Sequence, residues 1–520
     1  MLCKLEIDEC KRFVCRCPTG CKSLTSMSLS NISDFGNLLR QEFQEVECLN
    51  IKGCEELIHL WQTNICLERP RRGLHSLTSL RELYIGSCGT LTSVPEEIKL
   101  SSAHLEKLQI EDCHSLTFIF TVQLPPSLKR LDVRNCEKLM CLFDDENEDN
   151  SSTCSSTSSL VLNENVNNTS TSLLEYLGIE KCPSLTCLST TGELPATLTR
   201  LLIKDCSKLV TLSSIGQLPT HLKDLEIKKC SELKTILSQG HLPETLETLN
   251  IKICPKLEFI VERFQNNRAL NDIRISNCTN LKAIPEGLHT FSSLRIFYIW
   301  DCPSLDSLIE GGFPNTNLSV WLVLCKKLKG LPSSLHNLTS LQGLFLYGCP
   351  RIPFPEEGFP TNLASLSIEG LSLYKPLSEW GLHKLTSLRY LHIWGCPDAV
   401  SFPEENMRME LPTTLTELWI TSFPKLKYLS SNGFQNLTSL EFLLIDDCPN
   451  LTSLPNLPSS LLRLYIEDCP LLKKHCKRHK GKEWSKIADI SRVTIDGKFI
   501  YDPEEKESEY DAEEESEDYS

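Results

Sequence analysis

A 24-residue period governs this chain. From Leu198 the sequence reads LTRLLIKDCSKLVTLSSIGQLPT and then HLKDLEIKKCSELKTILSQGHLPE, the same frame twice. The shared pattern is L-x-x-L-x-I-x-x-C-x-x-L-x-x-[LI], closed by a short return containing Gly or Pro. Its first leucines are Leu174, Leu198, Leu222, Leu246, Leu270, Leu294 and Leu318, six successive steps of 24 residues. Within a coil, Leu201 and Ile203 alternate with Leu202, which gives a short strand with one inward and one outward face. Leucines three apart (Leu209, Leu212) then keep the interior filled. Leu218-Pro219 punctuates the return, because proline and the residue before it both resist helix continuation. One coil cannot bury its own leucines, so coils must stack.

A fixed period in the twenties with this leucine pattern is the signature of a leucine-rich-repeat solenoid. The expected fold is therefore α/β: a horseshoe or superhelix with one parallel sheet on its concave face and a mostly irregular convex side. Further starts at Leu2, Leu24, Val46, Leu80, Leu105 and Leu128, and at Leu341, Leu363, Leu388, Leu415, Leu440 and Leu461, bring the expectation to about 19 repeats over residues 1–472. The first unit begins in mid-pattern, which suggests a fragment of a longer protein or the loss of an upstream domain. Residues 144–172, acidic and then Ser/Thr/Asn-rich, read as a disordered insertion. Residues 473–501 read as a carboxy-terminal cap, with a helix around Lys482–Ile487, a strand around Val493–Ile500, and Trp484 covering the last leucines. Residues 502–520 read as a disordered acidic tail. Returns of the LHNLTSL kind have room for a short helical turn.

Fifteen units carry a cysteine in register, from Cys10 to Cys469, and Cys325 arrives one residue early. The position accepts Asn or Cys in the general repeat. The expected role is a small buried residue whose weak S–H donor meets a carbonyl where the strand ends. So many thiols suggest a reducing compartment. CRCPTGC (Cys15, Cys17, Cys21) has no ligand pair at finger spacing after it, and His475, Cys476 and His479 lie among lysines that would repel a cation. No metal site is expected.

The formal charge is −15, and the last 19 residues account for most of it, so no basic field points to nucleic acid. No apolar run approaches membrane-spanning length, and the amino terminus does not read as a signal peptide. The chain has no phosphate-binding G-x-x-x-x-G-K-[ST], no G-x-G-x-x-G after a strand, no H-E-x-x-H and no G-x-S-x-G. Neither a catalytic constellation nor a cofactor is expected.

What the pattern leaves is binding. Outward strand positions vary freely because the core does not constrain them. Between the strand's Leu and Ile the middle and last coils run Leu202, Glu226, Asn250, Arg274, Tyr298, Leu322, Phe345, Ser367, His392, Trp419, Leu444, Tyr465. Just after the Ile they run Lys204, Lys228, Lys252, Ser276, Trp300, Leu324, Tyr347, Glu369, Trp394, Thr421, Asp446, Glu467. Two candidate partner-binding groups follow: an aromatic row (Tyr298, Trp300, Phe345, Tyr347, His392, Trp394, Trp419) and a lysine row (Lys204, Lys228, Lys252). Aromatics also suit strands for packing alone. A cluster of them on an open face favours a contact surface.

The units G-x-L-P-x-x-L-x-x-L-x-I-x-x-C-x-x-L-x-x-L, as at Gly192–Leu212, resemble the repeat region of plant intracellular immune receptors of the coiled-coil, nucleotide-binding class (NLR disease resistance proteins). The ending C-P-L-L-x-x-x-C followed by G-K-E-W-x-K-I-A-x-I (Cys469–Cys476, Gly481–Ile490) is similar to how such receptors finish. The resemblance implies a cytoplasmic recognition module for plant defence. It would sense a pathogen effector or a guarded host protein, and would restrain a nucleotide-binding domain absent from this chain. No residue here inherits the nucleotide switch. Two alternatives are the substrate-binding repeats of an F-box ubiquitin-ligase adaptor and a bacterial effector repeat domain, whose returns Leu124–Leu131 resembles.

Overall fold

A computed structural model of the chain describes residues 3–9, 24–32, 45–54, 79–94, 104–120, 124–142, 172–189, 194–213, 217–238, 240–265, 267–308, 311–404 and 410–500. Most of the expected insertion, the expected acidic tail and the CRCPTGC segment lie outside these residues. The chain divides into two compact units, Met1–Thr316 and Asn317–Ser520.

The first unit contains strands β1 (Lys4–Asp8), β2 (Ser26–Ser30), β3 (Cys48–Lys52), β4 (Glu82–Gly86), β5 (Lys107–Glu111), β6 (Arg130–Arg134), β7 (Tyr176–Glu180), β8 (Arg200–Lys204), β9 (Asp224–Lys228), β10 (Thr248–Lys252), β11 (Asp272–Ser276) and β12 (Ile296–Trp300). Each is five residues long, and within the unit each pairs in parallel with the strand of the next coil, from β1 through to β12. The register places like on like: Leu201 faces Leu225 and Ile203 faces Ile227. These inward residues are fully buried. Each contributes about 1.5–3 kcal/mol relative to exposure, and the period-two alternation keeps positions 200, 202 and 204 on the opposite face.

The second unit continues with β13 (Ser319–Val323), β14 (Gly343–Tyr347), β15 (Ser365–Glu369), β16 (Tyr390–Trp394), β18 (Glu417–Thr421), β20 (Phe442–Asp446) and β21 (Arg463–Glu467), again parallel. Two-residue strands β17 (Ser401–Phe402) and β19 (Tyr428–Leu429) pair in the returns. Each of the nineteen starts read from the sequence is followed by its strand, so the fold is a leucine-rich-repeat solenoid. Single 3₁₀ turns occupy Leu335–Asn337 and Leu382–Lys384, within the LHNLTSL and LHKLTSL returns. A ten-residue helix, Leu371–Trp380, follows β15 and carries Pro376 inside it, a departure that the repeat pattern does not announce.

At the end of the chain, a helix at Pro470–His475 precedes the helix Trp484–Ile487. Strand β22 (Arg492–Ile495) joins β21 in parallel and then turns back antiparallel onto β23 (Lys498–Phe499). The first of these helices was not expected, and the expected single strand is a hairpin. Gly497, at φ 75°, supplies the turn. Ile487 is fully buried, and the Glu483 carboxylate accepts the Leu454 N–H at 3.0 Å and the Lys486 ammonium at 2.7 Å.

Cys10 lies outside the described residues, and the in-register cysteines within them are buried as the pattern predicts. Those at 54, 88, 113, 136, 182, 206, 230, 254, 278, 302, 325, 349, 396, 448 and 469 are free and buried. Cys469 donates to the Ile445 carbonyl at 3.9 Å, whereas the in-register thiols from Cys54 to Cys349 and that of Cys448 donate to the carbonyl two residues back, for example Cys206 to Lys204 and Cys254 to Lys252, both at 3.5 Å. That same carbonyl accepts a second bond from the previous coil: the Lys229 N–H reaches the Lys252 oxygen at 2.8 Å. Lys229 is left-handed (φ 55°), and so is the residue before the cysteine in coil after coil, including Asp205, Ile253, Asn277 and Leu324. The left-handed residue aims its N–H at the neighbouring coil and drops the cysteine into the core.

Candidate functional site

In the second unit the sheet face opposite the leucines presents three columns of side chains. They stand just before the strand's Leu, between Leu and Ile, and just after Ile. The middle column carries Trp321, Phe345, Ser367, His392, Trp419, Leu444 and Tyr465, joined in register from β13 to β21.

Trp321 corrects the sequence reading, which put Leu322 and Leu324 on this face. Leu322 is fully buried, paired inward with Leu346, and Leu324 is the left-handed residue after the strand. The cause is the early cysteine. This coil has one residue fewer between its first leucine and Cys325, so the strand shifts by one position and its faces exchange. Counting back from the cysteine instead of forward from the leucine finds Trp321. Tyr390 and Phe442 stand in the column before the strand's Leu, which the Leu-x-Ile alternation does not single out.

The rings form one connected set. Trp321 stacks on Phe345 (3.5 Å between centroids), Phe345 meets Tyr390 (6.2 Å), and Tyr390 meets Trp419 (5.7 Å). Trp419 also contacts His392 and Phe442, and Phe442 stacks on Tyr465 at 5.2 Å. Tyr347 touches both His392 and Trp394, which lie two strands away. That reach is possible because the strand between them carries small residues, Ser365 and Ser367. The Ser367 hydroxyl donates to the Tyr347 hydroxyl, and Tyr347 and Thr421 hold the two nitrogens of His392 at 3.0 and 2.9 Å. Burial depresses the His392 pKa to about 4, so the ring is neutral at pH 7.

The predicted residues therefore split. Trp394 is 37% exposed, whereas Phe345 and His392 are only 8% and 9% exposed, covered by their neighbours on the face. Tyr347 and Trp419 are half-buried. Phe345, His392 and Trp419 thus contribute to folding as well as to the surface, and Trp394 is the one that projects. In the first unit, Tyr298 and Trp300 sit edge to face on β12 (6.1 Å), with Trp300 45% exposed.

The lysine row also lies outward on the first unit's sheet, on β8, β9 and β10, but it is not a field of bare charge. Lys204 pairs with Glu180 at 2.5 Å and Lys228 pairs with Glu226 on its own strand; Lys252 is half-buried. Glu180 accordingly titrates below the usual carboxylate range, held there by the Lys204 ammonium.

Among the described residues no group of three His, Cys, Asp or Glu side chains is placed to hold a metal ion. The His475 ring instead meets the Thr452 carbonyl at 2.6 Å, and Cys476 is buried. No helix among the described residues is long and apolar enough to cross a membrane.

No family model matches the chain. Over 149 residues, 28% of its length, the chain is 34% identical to an Arabidopsis thaliana protein named as a disease resistance protein. The chain spans about a tenth of the length of that curated relative. Solved structures that superpose on it include a leucine-rich-repeat protein of Leptospira interrogans (17% identity, TM-score 0.35, 91% of this chain and 90% of the other). They also include a plant peptide hormone receptor (15% identity, TM-score 0.24, 91% and 95%).

Proposed function

We propose that this chain is the recognition region of a cytoplasmic plant immune receptor of the nucleotide-binding, leucine-rich-repeat class. Its outward sheet face binds a pathogen effector or a guarded host protein, and in a full-length receptor the solenoid restrains the nucleotide-binding domain until that happens. It does no chemistry of its own and holds no cofactor. The observation that carries the reading is the connected aromatic face of the second unit, with Trp394 projecting from it. Clustered aromatics with one open anchor are what protein interfaces are built around. The partial identity to a plant disease resistance protein supports the plant setting over the F-box and bacterial alternatives.

A photo-reactive side chain at position 394 in the full-length receptor tests this directly. It should cross-link a pathogen or host protein on infection, while the same group at the exposed Glu357, off the sheet, should not. Labelling from position 357 but not from 394 would contradict the proposal.

A further inference from the structure

The column after the strand's Ile differs between the two units. In the first it carries the lysines on β8–β10. In the second it carries Glu369, Trp394, Asp446 and Glu467, and among the described residues it holds no lysine or arginine. No described cation forms an ion pair with these three carboxylates. The Glu369 carboxylate accepts the Gly348 N–H, which fixes it beside Trp394, its register partner on the adjacent strand. Asp446 and Glu467 are likewise register partners. Burial, and then the nearby carboxylates of Asp468 and Asp447, hold Asp446 above the usual range, as expected of acids gathered without a counter-ion.

The same face already uses guanidinium-on-ring contacts. The Arg463 guanidinium lies over the Phe442 ring at 5.1 Å and that of Arg492 over Tyr465 at 5.9 Å, along the opposite column. Trp394 has an open ring with no such cover among the described residues, and a carboxylate next to it.

We infer that the partner docked on this face is a polypeptide segment bearing arginine. One guanidinium stacks on Trp394 and pairs with Glu369, and further basic residues of the same segment meet Asp446 and Glu467. Arginine fits better than lysine because its planar head can stack on a ring and bind a carboxylate edge-on at once. Trp394 and Asp446 stand two strands apart, about 10 Å, which three residues of an extended chain span. The inference rests on the reading of this face as the docking surface.

The test is selection of a random 16-residue peptide library against the full chain, followed by titration of the enriched peptides against variants. The expected result is enrichment of arginine. Affinity should fall at least tenfold with Trp394→Ala, with Glu369→Gln, and on replacing the peptide's arginines by lysine, and should weaken as salt rises. Glu369→Gln keeps an oxygen for the Gly348 N–H, so its loss of binding cannot come from misfolding at that contact. Enriched peptides that depend on Trp394 but carry no excess of arginine would overturn the inference and leave the docking surface standing. Enriched peptides indifferent to every substitution on the face would overturn both.

Discussion

Trp321 lies flat on Phe345, with ring centroids 3.5 Å apart and planes within 5° of parallel. The contact joins β13 to β14 on the face opposite the leucine core, so it adds stability without belonging to the interior. Stacked aromatic pairs contribute about 0.5–1.5 kcal/mol beyond their area. A double-mutant cycle of Trp321→Ala and Phe345→Ala, followed by urea denaturation, should therefore show a coupling of that size. Strict additivity would mean that the rings do not support each other.

The cysteine ladder predicts a chemical and a pH response. Burial pushes the thiols of Cys206 and Cys396 up to about 12, against an ordinary value near 9. A thiol reagent should label the in-register cysteines slowly in the native protein and readily once it is unfolded, and intact mass without reductant should show no disulfides among them. The raised values favour the folded state fully below pH 9. Between pH 9 and 12 the unfolded chain has lost protons that the folded chain keeps, so stability should fall as pH rises through that window. Cys206→Ala should fall less steeply.

Ile253 occupies the left-handed position after β10 at φ 56°, and it is 46% exposed. A β-branched residue there is strained. Asparagine, which Asn277 shows at the same position one coil later, relieves most of the strain. Ile253→Asn should stabilise the fold by about 1 kcal/mol, read as a rise in the melting temperature. A loss of stability would show that Ile253 makes a compensating apolar contact.

His392 gives the face an acid-sensitive element. Its folded pKa of about 4 lies below the ordinary value of 6.5. Stability from keeping the ring neutral is therefore complete above pH 6.5 and is lost as pH falls toward 4. His392→Gln, which retains polar atoms for Tyr347 and Thr421, should flatten the decline in melting temperature between pH 6.5 and 4. An unchanged slope would mean that another group causes it.

The fold was legible because one spacing fixed each coil: Leu201 and Ile203 inward, Cys206 under the strand end, Pro219 at the return. The outward face of the sheet, which carries the candidate site, was legible wherever the coil kept that spacing, as at Phe345, Tyr347, Trp394 and Trp419. It failed at Trp321, where one missing residue exchanged the faces of a strand. It was silent on exposure, because the burial of His392 depends on Ser367 being small enough for Tyr347 to lean across β15. A pattern along one coil does not report contacts two coils away. The helix Leu371–Trp380 was unreadable for a related reason, since Pro376 and the irregular step between Leu363 and Leu388 mask its periodicity.

The most direct measurement compares Trp394→Ala with Leu391→Ala in the proposed full-length receptor, reading both the melting transition and partner recognition. Leu391 lies on the same strand but is fully buried, so its truncation should cost about 2–5 kcal/mol. Trp394 projects from the face, so its truncation should cost folding about 1 kcal/mol or less while abolishing recognition. Recognition that survives Trp394→Ala in a well-folded receptor would contradict the account and move the contact surface elsewhere.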